Sequence, residues 1–322
     1  MTVAIACQGG GSHTAFTAGA LGRLLPAVDR SPAELVGLSG TSGGAFAAVT
    51  GWYGLLEPGA DPEVLLTDLW DDIAASGPFN RTMNNALVWT SALEAMGVPV
   101  PEPSPYWTTA DDAARRQLRR TLEAHVDFER FPALATGDAP TLVVGAVDIS
   151  DGEFVTFTDE AVTAAAVLAS AAVPGLYEAV EIDGDYHWDG LLSQNPPIRP
   201  HFEGPVGSKP DELWVVQVSP QSRDERPRSP RAISDRRSEL AGNLSLNQEL
   251  RFVEKVNDWV ETGRLRDGYK HTAVRRIQLD RELSLASRYD RRPSFVADLF
   301  EDGAATATAF LADRGYTSTS TS

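Results

Sequence analysis

Cysteine is almost missing: Cys7 is the only one in 322 residues. One thiol closes no internal disulfide, so an oxidised, stapled fold is excluded, and Cys7 reads as a small apolar residue of the first strand. Lysine is nearly as scarce. Lys209, Lys255 and Lys270 are the only lysines among 28 basic residues, which face 45 acidic ones for a net charge of −17. Such a surface repels nucleic acid and feels no electrostatic pull toward anionic lipid, so no nucleic-acid partner is expected. Much acid with little lysine suits a protein kept soluble in high salt, or a GC-rich source. Long apolar runs are also wanting. The best, residues 161–173, is alanine-rich and far short of the ~20 residues that cross a bilayer, so no transmembrane segment is expected. The N-terminus, MTVAIACQGGG, has neither a basic region nor an apolar stretch with a cleavage site, and a cytoplasmic location is expected.

What is present is a chain long enough for one large domain or two of ordinary size, with 42% apolar residues. Residues 2–8 read as a buried strand. Ser12 to Val28 follows with helical spacing, carried by Phe16, Ala20, Leu24 and Val28. Glu34 to Ser39 is a second strand and Gly43 to Leu56 a second helix. Strand–helix–strand–helix at this pace is a βαβ unit, hence an α/β fold with a parallel sheet covered by helices. Residues 57–135 read as a mostly helical insert or cap, broken by the proline-rich VPVPEPSPYW. Further strands are TLVVGAVDIS, EFVTFTD, EAVEIDGDY, ELWVVQVSP and VRRIQL. Helical spacing marks Asp159 to Val173, Ser238 to Val260 and Pro293 to Arg314. Residues 221–234 read as an exposed loop, and the tail 317–322 as disordered. A single domain over 1–316 is expected.

Two glycine clusters stand at strand ends: Gly9-Gly10-Gly11 and Gly40-Thr41-Ser42-Gly43-Gly44. No lysine follows either, so a phosphate-binding P-loop is excluded. A dinucleotide fingerprint fails as well, because its third glycine is Thr14 and no acid closes strand two. The second cluster does satisfy G-x-S-x-G, which holds a serine on a sharp strand-to-helix turn. A helix starting at Gly43 would aim its N–H groups at an oxyanion beside Ser42. Only two strands precede Ser42, too few for an α/β-hydrolase. Adjacent parallel strands share one crevice at their carboxyl ends, so Gly9, Gly10 and Gly11 would offer bare N–H groups there with Gly43.

The base is less evident. Of five histidines, His187 and His201 are formal triad candidates, yet neither sits in an obvious presenting loop. Asp189, in YHWDGLLSQNPPI, follows a strand and precedes a glycine. In a partly desolvated cleft its carboxylate could take the serine proton directly, although Asp-Gly is also an ordinary turn pair.

These motifs together resemble the patatin-like acyl hydrolases of bacterial or archaeal type. The matching segments are GGGSHTAFTAGAL, GTSGGA, LASAAVPGLYEAV and WDGLLSQNPPI, in family order over roughly residues 3–200. The resemblance implies a three-layer α/β/α sandwich with a mainly parallel central sheet. It implies a Ser–Asp dyad of nucleophile Ser42 and base Asp189, with no histidine in the chemistry and with the oxyanion held around Gly10, Gly11 and Gly43. Neither a cofactor nor a metal is expected. Two departures stand out: His13 and Thr14 replace a basic residue and a glycine of G-G-G-x-[RK]-G, and Leu191 replaces the second glycine of Asp-Gly-Gly.

The expected activity is therefore hydrolysis of carboxylic esters of lipids through an acyl-enzyme. An intracellular polyhydroxyalkanoate depolymerase is the leading alternative, and a non-catalytic scaffold of the same fold the rival from another class. The expected partner is an ester or lipid substrate, with a lipid or polyester granule surface as its physical form. Were the source an archaeal halophile with ether-linked membrane lipids, a stored ester or polyester would be the more natural substrate.

Overall fold

A computed structural model of the chain describes residues 1–98, 100, 104–107, 110–224, 226–265 and 267–316. The expected disordered tail, and part of the proline-rich break, lie outside the described residues. The chain runs β1 (Thr2–Cys7), α1 (Ala15–Asp29), β2 (Glu34–Thr41) and α2 (Gly43–Leu56), then the helices α3 (Pro62–Ile73), α4 (Pro78–Ala95), α5 (Ala110–His125) and α6 (Phe131–Leu134). Next come β3 (Thr141–Asp148), β4 (Phe154–Thr158), α7 (Ala164–Ser170), β5 (Val180–Ile182) and β6 (Asp185–Asp189). The last elements are β7 (Glu212–Gln217), α8 (Pro230–Glu261), β8 (Ala273–Gln278) and α9 (Pro293–Asp313).

The strands form one sheet in the order β5-β6-β3-β2-β1-β7-β8, with β4 also paired to β3. From β3 to β8 the pairing is parallel; β4 and β6 run antiparallel to β3, and β5 antiparallel to β6. The alternation of a strand sorts β1 between two cores. Val3, Ile5 and Cys7 face the larger one with α1, α2 and α9, whereas Ala4 and Ala6 meet Leu246 and Leu250 of α8. The result is a three-layer α/β/α sandwich. Leu21, Leu24 and Leu25 of α1 are completely buried, each worth about 2 kcal/mol.

Three element boundaries differ from the sequence reading, each for a local reason. EAVEIDGDY is a hairpin, β5–β6, because Asp183 and Gly184 both take positive φ (55° and 98°) and turn the chain. α8 starts at Pro230, well before the apolar spacing becomes regular, because the Ser229 hydroxyl accepts the Ala232 N–H and Pro230 stands at the first helical position. α7 is shorter than the alanine-rich run, since Thr163 caps it by accepting the Ala166 N–H at 3.2 Å. Within 57–135, α3 buries Leu66, Leu69 and Trp70 in the main core, so it belongs to the sandwich itself. α4 lies against residues 285–289 and α8, and the Tyr106 hydroxyl accepts the Ala179 N–H at 3.0 Å.

Candidate active site

The carboxyl ends of β1 and β2 deliver both glycine clusters to one crevice. Cys7 pairs with Gly40, so Gly9–Gly11 leave the sheet beside the Thr41–Ser42 turn. Ser42 has φ 56° and ψ −131°, a conformation that costs a non-glycine residue on the order of 1–3 kcal/mol. The turn is held from several sides. The Ser42 N–H donates to Ser170 Oγ at 2.9 Å, and that hydroxyl donates in turn to the Gly145 carbonyl at 2.6 Å. Thr41 Oγ1 donates to the Gln194 carbonyl at 2.7 Å, while the Ser42 carbonyl accepts the Ala45 N–H at 2.9 Å. α2 begins at Gly43 with no acidic residue in its first turn, so its N-terminal dipole points at the serine uncompensated.

Asp189 reaches the same point through the edges of β3. A strand has two edges. β4 occupies one of them from Val143 to Val147. β2 and β6 divide the other: β2 ends with Thr41 opposite Gly145, and β6 ends with Asp189 opposite Ala146. The two strands meet end to end, which sets Ser42 and Asp189 at a single junction. Asp189 Oδ1 accepts the Leu191 N–H at 2.8 Å, its own N–H donates to the Ala172 carbonyl at 3.0 Å, and Oδ2 has no hydrogen-bond partner among the described residues. The residue is 1% exposed and Ser42 6%. Burial pushes the Asp189 carboxyl up to about 7, against the opposing pulls of the Leu191 N–H, the neighbouring Ser42 hydroxyl and the charge of Arg288. The Ser42 hydroxyl stands close enough to exert that pull.

The glycine loop divides by what its N–H groups already do. The Gly9 N–H donates to Asn195 Oδ1 at 2.6 Å, so the expectation that it faces an oxyanion gives way to a structural bond. Gly10, Gly11 and Gly43 have no backbone acceptor for their N–H groups among the described residues. Gly11 has φ 60°, and a Cβ there would run into the Arg288 carbonyl; only glycine fits. Thr14, standing where a glycine was expected, donates its hydroxyl to the Gly11 carbonyl at 2.6 Å and braces the loop from within.

The histidines have work elsewhere. His13 Nε2 pairs with Ser287 Oγ at 2.8 Å, and burial, with Arg288 and Arg281 nearby, holds the ring neutral. His201 lies against Gly37, early in β2, and burial lowers it to about 4. His187 packs edge-on against Phe157 at 5.7 Å. His125 and His271 pair with Asp72 and Glu261. No group of three or more metal-ligating side chains occurs among the described residues, and no helix there is long and apolar enough to cross a membrane.

Four residues of this centre escape a reading of the sequence. Ser170 and Asn195 act across 128 and 186 residues of chain. Gln8 accepts the N–H groups of Val218 and Ser219 at 3.0 and 2.9 Å and donates to Asn243 Oδ1 at 2.9 Å, tying β1, β7 and α8 together. Arg288 lies behind the glycine loop. Ser170 and Asn195 do stand inside the motifs LASAAVP and SQNPP, but nothing local tells what they hold.

Comparison with known proteins adds the following. A family model described as patatin-like phospholipase matches residues 5–201. No curated protein sequence matches. Among solved structures, the chain is similar to VipD from Legionella pneumophila, at 13% identity and a TM-score of 0.41, covering 97% of this chain and 66% of that one. It is also similar to the type III effector protein ExoU, at 15% identity and a TM-score of 0.38, covering 97% and 53%. The chain thus spans a little under two thirds of the first and about half of the second.

Proposed function

The chain belongs to the patatin-like phospholipase family, and from that premise we propose that it is a serine hydrolase of lipid carboxylic esters working through a Ser42–Asp189 dyad. The observation that carries this reading is the junction on β3, where the strained serine and a buried carboxyl meet. Asp189, at about 7, is poised between acid and base at neutral pH, as a proton carrier should be. Ser42 Oγ attacks the ester carbonyl carbon while its proton passes to Asp189. The carbonyl oxygen becomes an oxyanion facing the N–H groups of Gly10, Gly11 and Gly43. Collapse breaks the bond to the leaving alcohol, which takes the proton from Asp189 and departs. Water, deprotonated by Asp189, then attacks the acyl-enzyme, and collapse frees the carboxylic acid and returns the proton to Ser42.

In this reading residues 1–316 are one domain, and α4 with the segment around Tyr106 is what caps the crevice. Leu191 narrows the space beside Asp189.

The test combines covalent labelling with a substrate panel. A fluorophosphonate should label Ser42 and nothing else. Short p-nitrophenyl esters should be hydrolysed by the parent and at least about a thousandfold more slowly by Ser42→Ala. Phosphatidylcholine vesicles and amorphous polyhydroxybutyrate granules, each at low and multimolar salt, assign the natural ester. Turnover of granules alone would favour the polyester depolymerase; full activity in Ser42→Ala would end the proposal.

A further inference from the structure

Net charge averages over a whole chain, and one face of this molecule departs from the average. Residues 226–252 hold six arginines against three acids, in a protein whose net charge is −17. The three acids are taken up by the fold. Asp235 Oδ1 accepts the Leu285 N–H at 2.8 Å, Glu239 is gripped by Arg223 and Arg236 at 3.0 Å each, and Glu249 Oε2 accepts the Ile198 N–H at 3.1 Å. Arg226, Arg228, Arg237 and Arg251 are exposed. Among the described residues of this stretch, every exposed charge is positive. Negative charge resumes at the margins, with Asp224, Glu254 and, on α4, Glu94.

Exposed apolar residues share the face. Ile233, Arg237, Leu240, Leu244, Arg251 and Phe252 follow one another at intervals of three, four, seven or eight residues, which is one side of an α-helix, and all are exposed. Gly242 stands two residues from both Leu240 and Leu244, hence on the opposite side of α8, and there it lies against Leu191 and Asn195 beside the crevice. α8 is therefore a wall of the crevice on one side and a cationic, apolar strip on the other. The strip continues onto the end of α4, where Gly97 lies against Pro230 and its neighbours Met96 and Val98 are exposed.

We propose that this face of α8, extended by the end of α4, docks the protein on a lipid surface that bears anionic headgroups. The purpose of such docking rests on the lipid-ester reading of Ser42 and Asp189; the surface itself does not. Helices that lie in a membrane interface combine apolar side chains, which enter the headgroup boundary, with cations that meet anionic lipid. Arginine serves both ends, because its stem lies along apolar surface while its guanidinium reaches a phosphate. The acidic remainder of the molecule is repelled by the same headgroups, which orients the approach with α8 toward the lipid. A second copy of the chain is the poorer occupant, since a two-fold contact would set these arginines against themselves.

The test is cosedimentation of the Ser42→Ala protein, which leaves the lipid intact, with vesicles of phosphatidylcholine alone or with about one third phosphatidylglycerol, at about 0.1 M salt and above. Binding should be at least about tenfold stronger to the anionic vesicles and should weaken as salt rises. Adding Arg237→Gln and Arg251→Gln should lower it about thirtyfold, each cation near such a surface being worth about fivefold. Arg237→Lys with Arg251→Lys should keep it within about threefold, which separates loss of charge from loss of fold. Leu240→Ser with Leu244→Ser should lower it about tenfold. Lys255→Gln should leave it unchanged, because that ammonium is already paired with Asp258 at 3.0 Å. Equal binding to both kinds of vesicle, or glutamine variants that bind like their parent, would overturn the proposal. So would a dimer in solution that Leu240→Ser disperses, which would make the face a self-interface. If Ser42→Ala binds as expected and the parent hydrolyses no lipid ester in vesicles or in solution, docking stands and the hydrolase reading falls. If the parent hydrolyses vesicle lipid and Ser42→Ala shows no preference for anionic vesicles, docking alone falls.

Discussion

The crevice at the ends of β1 and β2 and the helix α4 differ sharply in how tightly the chain is held. In the crevice the Gly9 and Ser42 N–H groups are committed, glycines stand where a Cβ would meet a carbonyl, and a serine is held in a strained conformation. α4 is nearly without charge and leaves Trp89 68% exposed, with Met83 and Met96 also in solvent. The difference teaches where each region's sequence is constrained. The crevice is constrained by backbone approach and by charge in a dry place, so single atoms matter. α4 is held through residues such as the buried Asn84, which accepts the Arg291 N–H at 2.8 Å, while Trp89 stands in solvent.

The largest test of that contrast is Asp189→Asn. Ester hydrolysis should fall about a thousandfold, while stability should rise. The sign follows from linkage: burial lifts the folded-state carboxyl from an ordinary 3.8 to about 7, so between those values the folded state binds the proton and the unfolded state does not. Stability is therefore lost as pH rises through that window, and the full cost is present above pH 7. The amide never ionises, so Asp189→Asn should gain about 4 kcal/mol at pH 8 and less than about 1 kcal/mol at pH 4 in denaturant titrations. A loss of stability at pH 8 would mean that the crevice stores no such cost.

Next in size is Gly44→Ala. A Cβ at this position runs into the carbonyls of Cys7 and Gln8, because α2 starts hard against the end of β1. About 3 kcal/mol should be lost, and a loss below 0.5 kcal/mol would show that the crevice can relax. The smallest change is expected from Trp89→Ser: within about 0.5 kcal/mol of the parent, with kcat/KM on short soluble esters unchanged. A large destabilisation there would erase the contrast between the two regions.

Much of the centre was legible in advance because its signals are local. A serine flanked by glycines, between an apolar strand and a helix rich in small residues, marks an elbow wherever it falls. The Asp-Gly pair at 189–190 was legible as a candidate, but its meaning as a turn or a base was not. The Asp183-Gly184 turn was equally visible, yet it was absorbed into one long strand because the alternation continues across it. The bond made by Gly9 is out of reach of the sequence for a different reason. Whether an N–H is free depends on what comes to meet it, and Asn195 arrives from 186 residues away.

The sequence by itself determined the α/β class, the two glycine-lined strand ends and the residue types able to act there. Each follows from periodicity and backbone freedom within a few residues. Only the tertiary structure decided that β2 and β6 share one edge of β3 and meet between Gly145 and Ala146. It alone also brought Ser170 to that junction and Asn195 to the glycine loop beside it. Strand order and register are settled by which edges remain unpaired and which faces must be buried, and no local pattern of residues carries that information.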